Sequence, residues 1–202
     1  MARRQLQPAL ERGEADLVFV DDNPVAKQVN GHRVLTYAQW MTERASSRHV
    51  CIAIANSRIR QRVALQCATD GTSFFEVRAN NVVQMDEVQL GEGAILSPFV
   101  TITSNIRIGI HFHANLYSYI EHDCSIGDFV TFAPGVKCNG NVVIEDHAYI
   151  GSGAIIKQGQ PGVPVVIGRG GVVGMGAVVT KSVPAGATVV GNPARVMENK
   201  KC

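Results

Sequence analysis

Residues 90–155 read LGEGAI LSPFVT ITSNIR IGIHFH ANLYSY IEHDCS IGDFVT FAPGVK CNGNVV IEDHAY IGSGAI when they are written in blocks of six. Each block opens with an apolar residue, and Ile156 opens the next one. The opening residues are Leu90, Leu96, Ile102, Ile108, Ala114, Ile120, Ile126, Phe132, Cys138, Ile144, Ile150 and Ile156. A six-residue period fits neither an α-helix, which repeats every ~3.6 residues, nor a long strand, which alternates every ~2.

A second set of mostly small or β-branched residues lies four positions after the opening residues. Its members are Ala94, Val100, Ile106, Ser118, Cys124, Val130, Val136, Val142, Ala148, Ala154, Gly171 and Ala177. An insertion near 157–166 breaks the period, which resumes at Ile167. We expect both sets to face inward in a solenoid of very short strands. Glycines that directly follow an opening residue, such as Gly109 and Gly127, are expected to form its tight corners. A β-sandwich is disfavoured because its strands do not keep one fixed short period.

The composition of the 202-residue chain points away from several functional classes. Charged residues make up 18% and the formal net charge is only +2, so neither intrinsic disorder nor an electrostatic nucleic-acid surface is expected. The basic N-terminus is not followed by an apolar core, and no stretch approaches the length of a membrane span. The five cysteines lack CxxC pairs, which is typical of buried thiols in a reducing compartment. We therefore predict a cytoplasmic protein with no membrane or nucleic-acid partner.

Residues 1–80 follow a different pattern, in which helical and apolar segments alternate. In chain order these segments are helix-like 1–13, apolar 17–20, helix-like 36–45, apolar 50–55 and helix-like 57–68. This alternation predicts a small α/β domain with parallel strands, Rossmann-like in character. Residues 81–202 are left for the solenoid and its C-terminal cap.

Polar residues follow the two apolar runs of this N-terminal domain. Asp21 and Asp22 come after the first run, and Asn56 comes after the second. Ligands bind at the carboxyl ends of strands in open parallel sheets, so substrate contacts are predicted for these three residues. The alternative is that Asp21 and Asp22 form only a turn, with Pro24 ending the strand. The residues alone leave both interpretations open.

His122 has the setting that best suits proton transfer. It is third in the block IEHDCS, outside both inward sets, with Glu121 and Asp123 beside it. A carboxylate bonded to one ring nitrogen would leave the other nitrogen free to accept a proton. Neighbouring side chains in an extended strand point apart, so Asp123 can reach His122 only where the chain bends. The alternative is a plain surface histidine.

Three other histidines, His111, His113 and His147, also lie outside the inward sets. A zinc site of the kind found in β-helical carbonic anhydrases would need three protein ligands, and the spacing does not support that arrangement. We predict no metal.

The blocks are similar to the [LIV]-G-x-x-[AV]-x hexapeptides of the left-handed β-helix acyltransferases. With FVDDNP, VNGHRVL, IAIANSRIR, IEHDCSIGDF, PGVKCNGNVVI and GNPAR, the chain resembles the sugar acetyltransferases that modify sialic acid or nucleotide-linked 4-amino-sugars, as in bacillosamine and perosamine pathways. The likeness covers nearly the whole chain. It implies a mostly β fold, a left-handed parallel β-helix with three hexapeptides per coil, although the general rule for parallel crossovers would predict the opposite hand.

The resemblance also implies an activity. An acetyl group would pass directly from acetyl-CoA to the amine of a nucleotide-linked sugar, with His122 as general base and Asp123 raising its basicity. The family is trimeric, and its CoA lies in a groove between two subunits, where Thr131, Ser152 and Gly176 match the contact positions. Thr131 is a departure, because the related bacillosamine-pathway enzyme has histidine there.

Further contacts are predicted from side-chain chemistry. Lys181 and Arg195 suit the phosphates of CoA, although Lys181 could equally belong to a solvated C-terminal cap. Asn115 is predicted to hold the sugar through its amide. Coils of eighteen residues would also place Gly140 in one column with His122, where a glycine could leave room for the thioester.

The family normally opens with a further strand and a glycine-rich turn, whereas this chain begins inside the helix that follows. We therefore expect a truncated N-terminal domain without the diphosphate-facing loop. The leading hypothesis is an N-acetyltransferase of surface glycan biosynthesis. The alternatives are a sugar O-acetyltransferase of the sialic acid type, a zinc hydratase of the same fold, and a non-catalytic trimeric scaffold.

Overall fold

The computed structural model describes residues 1–197 of the chain. Packing divides the chain into one compact unit over residues 1–48 and a second that begins at His49. The repeat itself suggests a boundary near residue 80, and a nucleotide-binding role for residues 1–80 stays a prediction.

The first unit combines two helices with one small sheet. Its elements are α1 (Ala2–Glu11), β1 (Phe19–Val20), β2 (Gln28–Val29), β3 (His32–Leu35) and α2 (Tyr37–Thr42). The strand order is β1-β3-β2, with β1 parallel and β2 antiparallel to β3. Asn30 and Gly31 form the turn between β2 and β3, and both have the positive φ that a tight two-residue hairpin needs.

The second unit begins with β4 (His49–Val50), α3 (Ser57–Thr69) and β5 (Ser73–Phe74). Strands β4 and β5 pair in parallel and form a sheet of their own. The parallel strands predicted for residues 1–80 therefore belong to two separate small sheets, and the antiparallel hairpin of residues 28–35 was not predicted.

The repeat region consists of strands of two or three residues. These are β6 (Val77–Arg78), β7 (Val83–Gln84), β8 (Val88–Leu90), β9 (Ile95–Leu96), β10 (Thr101–Ile102), β11 (Ile106–Ile108), β12 (His113–Ala114), β13 (Tyr119–Ile120), β14 (Ser125–Ile126), β15 (Thr131–Phe132), β16 (Lys137–Cys138), β17 (Val142–Ile144), β18 (Tyr149–Ile150), β19 (Ile155–Ile156), β20 (Val165–Ile167), β21 (Val172–Val173), β22 (Val178–Val179), β23 (Thr188–Val190) and β24 (Arg195–Val196).

From β6 to β22 every third strand pairs in parallel, so the chain visits three sheets in turn. The sheets have six, five and eight strands, and paired residues such as Ala114 and Phe132 are eighteen positions apart. This is the pattern of a parallel β-helix. At the C-terminus β24 turns back antiparallel to β23.

We name the three edges of this solenoid by one residue each. The His122 edge joins the six- to the five-stranded sheet and carries residues 121–124. The Asp128 edge joins the five- to the eight-stranded sheet and carries residues 127–130. The Ser152 edge joins the eight- to the six-stranded sheet and carries residues 151–154.

The interior is filled by the two predicted sets of residues. Leu96, Ile120 and Val136 are examples that are at most 1% exposed, and the buried cluster continues from coil to coil through the solenoid. Leu90, in the first coil, is partly exposed. The inward assignment from the six-residue period is thus confirmed.

The corners do not depend on the predicted glycines. Gly109 and Gly127 have no positive φ; instead, a Cβ at Gly127 would come within 2.6 Å of the backbone nitrogen of Asp146 on the next coil. These glycines are required for close approach between coils. The left-handed residues lie two positions further on, and several are not glycine: Phe99, Asn105, His111, Tyr117, Asp123, Phe129, Asn141 and His147.

Hydrogen bonds from side chains to the backbone join successive coils at the Asp128 edge. Asp128 Oδ1 accepts from the N–H of Ile110, and Asp146 Oδ1 accepts from the N–H of Asp128, both at 2.9 Å. Such bonds satisfy corner amides that the strand ladders leave unpaired. Within residues 1–197 no helix is both long and apolar enough to cross a bilayer.

Candidate active site

His122 and Asp123 form a hydrogen-bonded pair on the His122 edge. Nδ1 of His122 lies 2.7 Å from Oδ2 of Asp123, and the two side chains are 46% and 48% exposed. Asp123 has a φ of 58°, in the left-handed region. The chain therefore bends at Asp123, which removes the geometric objection that adjacent side chains of a strand point apart.

The electrostatics of this pair suit a base. The hydrogen bond to the Asp123 carboxylate raises the pKa of His122, and the bonds that Asp123 accepts from His122 and Asn105 lower the pKa of Asp123. A charged carboxylate on Nδ1 favours the tautomer whose Nε2 carries the lone pair. Among the described residues none forms a hydrogen bond with Nε2, so that atom is open to solvent and substrate.

Gly140 lies directly beside the imidazole, one coil above. A Cβ at this position would lie 2.6 Å from both Cε1 and Nε2 of His122. The space that we expected to receive the thioester is therefore occupied by the histidine ring itself. The absence of a side chain at Gly140 is what allows the imidazole of His122 to lie there.

The residues predicted to contact CoA are distributed over several parts of the solenoid. Ser152 and Gly176 are neighbours on the Ser152 edge, where the N–H of Gly176 donates to the carbonyl of Ser152 at 2.8 Å. Lys181 is exposed near the His122 edge, and Arg195 is exposed in β24. Their roles stay predictions.

Thr131 is only 6% exposed, and its hydroxyl already has a hydrogen-bond partner within the chain. Its Oγ accepts a hydrogen bond of 3.0 Å from Arg60 in α3. The guanidinium of Arg60 is fully buried and also donates to the carbonyls of Ile54, Ala55 and Phe129. Arg60 thus fastens α3 to the solenoid, a role that the sequence did not reveal.

The predicted substrate residues already accept hydrogen bonds from the backbone. Asp21 Oδ1 accepts from the N–H of Asn23, and Asp22 Oδ1 accepts from that of Tyr37 at the start of α2. Asn56 Oδ1 caps α3 by accepting from the N–H groups of residues 58 and 59. The bond of Asp21 matches the turn interpretation, and substrate contacts by the three residues stay predictions.

Asn115, the last predicted sugar contact, is also engaged. Its Nδ2 donates to the carbonyl of Phe132 at 2.8 Å, in the coil above. Asn115 lies at the start of the Ser152 edge rather than the His122 edge. Within one chain it is therefore separated from the proposed base by the six-stranded sheet.

A cleft of about 440 Å³ lies where the N-terminus of α3 faces the eight-stranded sheet. Arg58 and Arg169 line it, together with Thr131, His147 and Tyr149. The guanidinium of Arg169 is paired with Asp146 at 2.7 Å. Arg58 and the N-terminus of α3 still favour an anionic ligand in this cleft. The sequence signal for this cleft is the basic run SRIRQR, directly after Asn56. A substrate contact was predicted at Asn56 but at no residue of the run.

His111 and His147 belong to a buried aromatic column with Phe129, and His113 is buried nearby. His111 and Phe129 stack at 5.1 Å, and Phe129 and His147 stack at 5.4 Å. Burial lowers the pKa of His111 to about 4 and that of His113 to about 3. We expected these positions to be outside the core, but α3 covers them. Among residues 1–197 there is no group of three His, Cys, Asp or Glu side chains that could hold a metal.

Comparison with known proteins identifies the family. A GDP-perosamine N-acetyltransferase of Escherichia coli O157:H7 is 57% identical over 182 residues, which are 90% of this chain and 82% of that protein. WeeI from Acinetobacter baumannii AYE is 52% identical with a TM-score of 0.89, over 96% of this chain and 94% of that one. PerB from Caulobacter crescentus, solved with CoA and GDP-perosamine, is 26% identical with a TM-score of 0.84, over 98% and 92%. No protein-family model matches the chain. The resemblance inferred from the repeat is confirmed, and the chain belongs to the hexapeptide-repeat acetyltransferases of the perosamine and bacillosamine type.

Proposed function

We propose that the protein transfers the acetyl group of acetyl-CoA to the amine of a nucleotide-linked 4-amino-sugar, with His122 as the general base. The observation that carries this proposal is the pair of His122 and Asp123, in which Nδ1 is held at 2.7 Å and Nε2 is left open. The relative from Escherichia coli is named as an N-acetyltransferase of GDP-perosamine, which supports an amine rather than a hydroxyl as the acceptor.

The pair can perform the proton transfers of the reaction. Neutral His122 accepts a proton at Nε2 as the sugar nitrogen attacks the thioester carbonyl. Asp123 stabilises the resulting imidazolium through Nδ1. When the carbon–sulfur bond breaks, His122 returns the proton to the departing CoA thiolate. A new amide and free CoA are formed, and the base is regenerated for the next cycle.

The anionic parts of the substrates call for cationic surfaces. We assign the cleft of Arg58 and Arg169 to the phosphates of a substrate, because guanidinium groups bind phosphate oxygens in a fixed geometry. Asp21, Asp22, Asn56 and Asn115 are kept as proposed contacts of the nucleotide sugar, within a nucleotide-binding role for residues 1–80.

A homotrimer with active sites between subunits is part of the proposal. Within one chain His122 lies on one edge of the solenoid, whereas Ser152 and Gly176 lie on another. A site that includes both the base and these proposed CoA contacts therefore requires two copies of the chain.

The left-handed sense of the β-helix and a cytoplasmic role in surface glycan synthesis are inferred from the resemblance. Cys51, Cys124 and Cys138 carry thiols rather than disulfides, which supports a reducing compartment.

The proposal is tested with purified protein, acetyl-CoA and GDP-perosamine, following release of the CoA thiol and the mass of the sugar product. GDP-mannose, a GDP-linked hexose without an amine, is the acceptor control. We expect acetylation of GDP-perosamine and none of GDP-mannose. His122→Asn should lower kcat by about 10²–10⁴, the usual contribution of a general base. A parental rate in His122→Asn would exclude His122 as the base, and acetylation of GDP-mannose alone would favour an O-acetyltransferase.

A further inference from the structure

The carboxylate of Asp123 has a second partner besides His122. Nδ2 of Asn105 donates to Oδ1 of Asp123 at 3.2 Å, while Oδ2 of Asp123 meets the imidazole at 2.7 Å. Each carboxylate oxygen therefore has its own partner. Two hydrogen bonds in different directions prevent the carboxylate from rotating about its Cβ–Cγ bond. A single hydrogen bond to the histidine would leave that rotation possible.

The geometry of the His122 edge produces this contact. Asn105 is eighteen residues before Asp123, at the same corner one coil below, and the two residues have φ values of 60° and 58°. Residues with the same left-handed conformation on stacked coils project their side chains in the same direction. Neighbouring strands are about 4.8 Å apart, a spacing that one amide–carboxylate hydrogen bond can span. The N–H of Asp123 also donates to the carbonyl of Ser104, which fixes the backbone at this point.

We propose that Asn105 is a positioning residue for acetyl transfer, which orients Asp123 so that His122 is held in the tautomer and direction required of the base. The inference rests on the proposed function in taking His122 as that base. The side chain of Asn105 donates to Asp123 and so acts on the imidazole through the carboxylate. The lowered pKa of Asp123, to which the bond from Asn105 contributes, agrees with a carboxylate that stays charged throughout the reaction.

The chain offers a matched control in Asn141. This residue occupies the same corner one coil above Asp123 and has a φ of 56°. In the described part of the chain its side chain forms no hydrogen bond with Asp123. Glycine tolerates the left-handed region, so Asn105→Gly and Asn141→Gly remove equivalent amides from equivalent corners with little backbone strain.

The experiment compares Asn105→Gly, Asn141→Gly, Asp123→Asn and the double variant Asn105→Gly/Asp123→Asn, with acetyl-CoA and GDP-perosamine over a range of pH. Asn105→Gly should lower kcat about three- to tenfold, which corresponds to one exposed charge-assisted hydrogen bond, and leave KM for acetyl-CoA unchanged. Because Asp123 raises the pKa of His122, the acid limb of the rate profile should move to lower pH in Asn105→Gly and in Asp123→Asn. Asn141→Gly should behave as the parent.

The double variant separates positioning from a structural role. If Asn105 acts through Asp123, its loss should not slow Asp123→Asn further. The proposal is overturned if Asn105→Gly keeps the parental rate and pH profile, if it slows Asp123→Asn by the same factor as the parent, or if Asn141→Gly has the same effect. Should the glycine variant melt at a lower temperature, Asn105→Asp, which replaces the donor by a second carboxylate, repeats the rate comparison alone, because its added negative charge raises the pKa of His122 and moves the acid limb the other way. A parental rate in His122→Asn would overturn the base itself, whereas a slow His122→Asn with a normal Asn105→Gly overturns only this inference.

Discussion

The imidazole of His122 lies so close to Gly140, on the next coil, that a side chain at residue 140 and the ring at residue 122 cannot occupy their places together. A single methyl group at Gly140 would contact Cε1 and Nε2 at 2.6 Å and Nδ1 at 3.0 Å. The backbone of Gly140 has no positive φ, so alanine can adopt its conformation. The histidine, which is half exposed, is the partner that has to move.

Gly140→Ala is therefore expected to impair catalysis while leaving stability nearly unchanged. The ring should swing toward solvent and lose its place relative to the acceptor, with a fall in kcat of at least about tenfold, part of the usual contribution of a general base. The melting temperature should stay within a few degrees of the parent, since an exposed ring is displaced at little cost. Steady-state kinetics and thermal unfolding of the same sample check this prediction. A parental kcat in a folded Gly140→Ala would show that the ring position is not required.

The buried guanidinium of Arg60 should contribute to stability. Arg60→Ala would leave the carbonyls of Ile54 and Phe129 and the hydroxyl of Thr131 without their donor, and would open a cavity below α3. We expect a loss of about 3–5 kcal/mol in the free energy of unfolding, measured by urea titration. Arg62→Ala, on the exposed side of the same helix, should change it by no more than about 0.5 kcal/mol. Equal effects of the two variants would contradict the role given to Arg60.

The buried histidines predict that the protein loses stability in mild acid. The folded-state pKa is about 4 for His111 and about 3 for His113, both below the ordinary value near 6.5. Between these limits the unfolded chain binds more protons than the folded one, so stability falls as the pH decreases from about 6.5. The slope is at most about 1.4 kcal/mol per pH unit for each histidine, and the loss ends near pH 4 for His111 and near pH 3 for His113.

His111→Phe isolates one of these titrations. Phe99 and Phe129 occupy equivalent corners with φ values of 64° and 58°, so phenylalanine fits the backbone at residue 111, where φ is 53°. Urea unfolding at several pH values between about 4 and 7 should give a smaller slope for the variant than for the parent, by up to one proton. An unchanged slope would mean that His111 is not buried in its neutral form.

The close contact between coils predicts unequal costs for two alanine substitutions. In Gly127→Ala the new Cβ would lie 2.6 Å from the backbone nitrogen of Asp146, which cannot move without displacing a coil. Gly153→Ala has open space, and its only cost is a φ of 68°. We expect losses of roughly 3 kcal/mol or more and roughly 1–2 kcal/mol in the free energy of unfolding, respectively. Chemical unfolding of both variants measures the difference, and a larger loss in Gly153→Ala would contradict the requirement for close approach at Gly127.

The sequence predicts the solenoid well because the six-residue period shows directly which side chains point inward. Inward positions such as those of Leu96 and Val136 repeat every six residues. Each coil buries its apolar residues against the coils directly before and after it, so no distant contact has to be predicted. The N-terminal region lacks such a period, and its antiparallel hairpin at Asn30 and Gly31 went unnoticed among helical and apolar segments.

The sequence predicts His122, the main residue of the candidate site, but few of the contacts around it. The block IEHDCS singled out His122, but the contact with Asp123 depends on a left-handed corner that spacing does not specify. The burial of His111 and the use of Thr131 depend on Arg60, whose partner Phe129 is 69 residues away. Contacts between α3 and the solenoid over that distance leave no local pattern in the sequence.

The insertion between β19 and β20 lies on the His122 edge, two coils from His122 itself. Ile144 and Ile167 are still paired, although 23 residues separate them instead of eighteen, and Gly159 bonds back to the carbonyl of Gly140. The additional residues are thus absorbed outside the coils, and the apolar interior continues in register. The length of the chain at this edge can therefore vary while the strands on either side keep their pairing and the buried interior stays continuous.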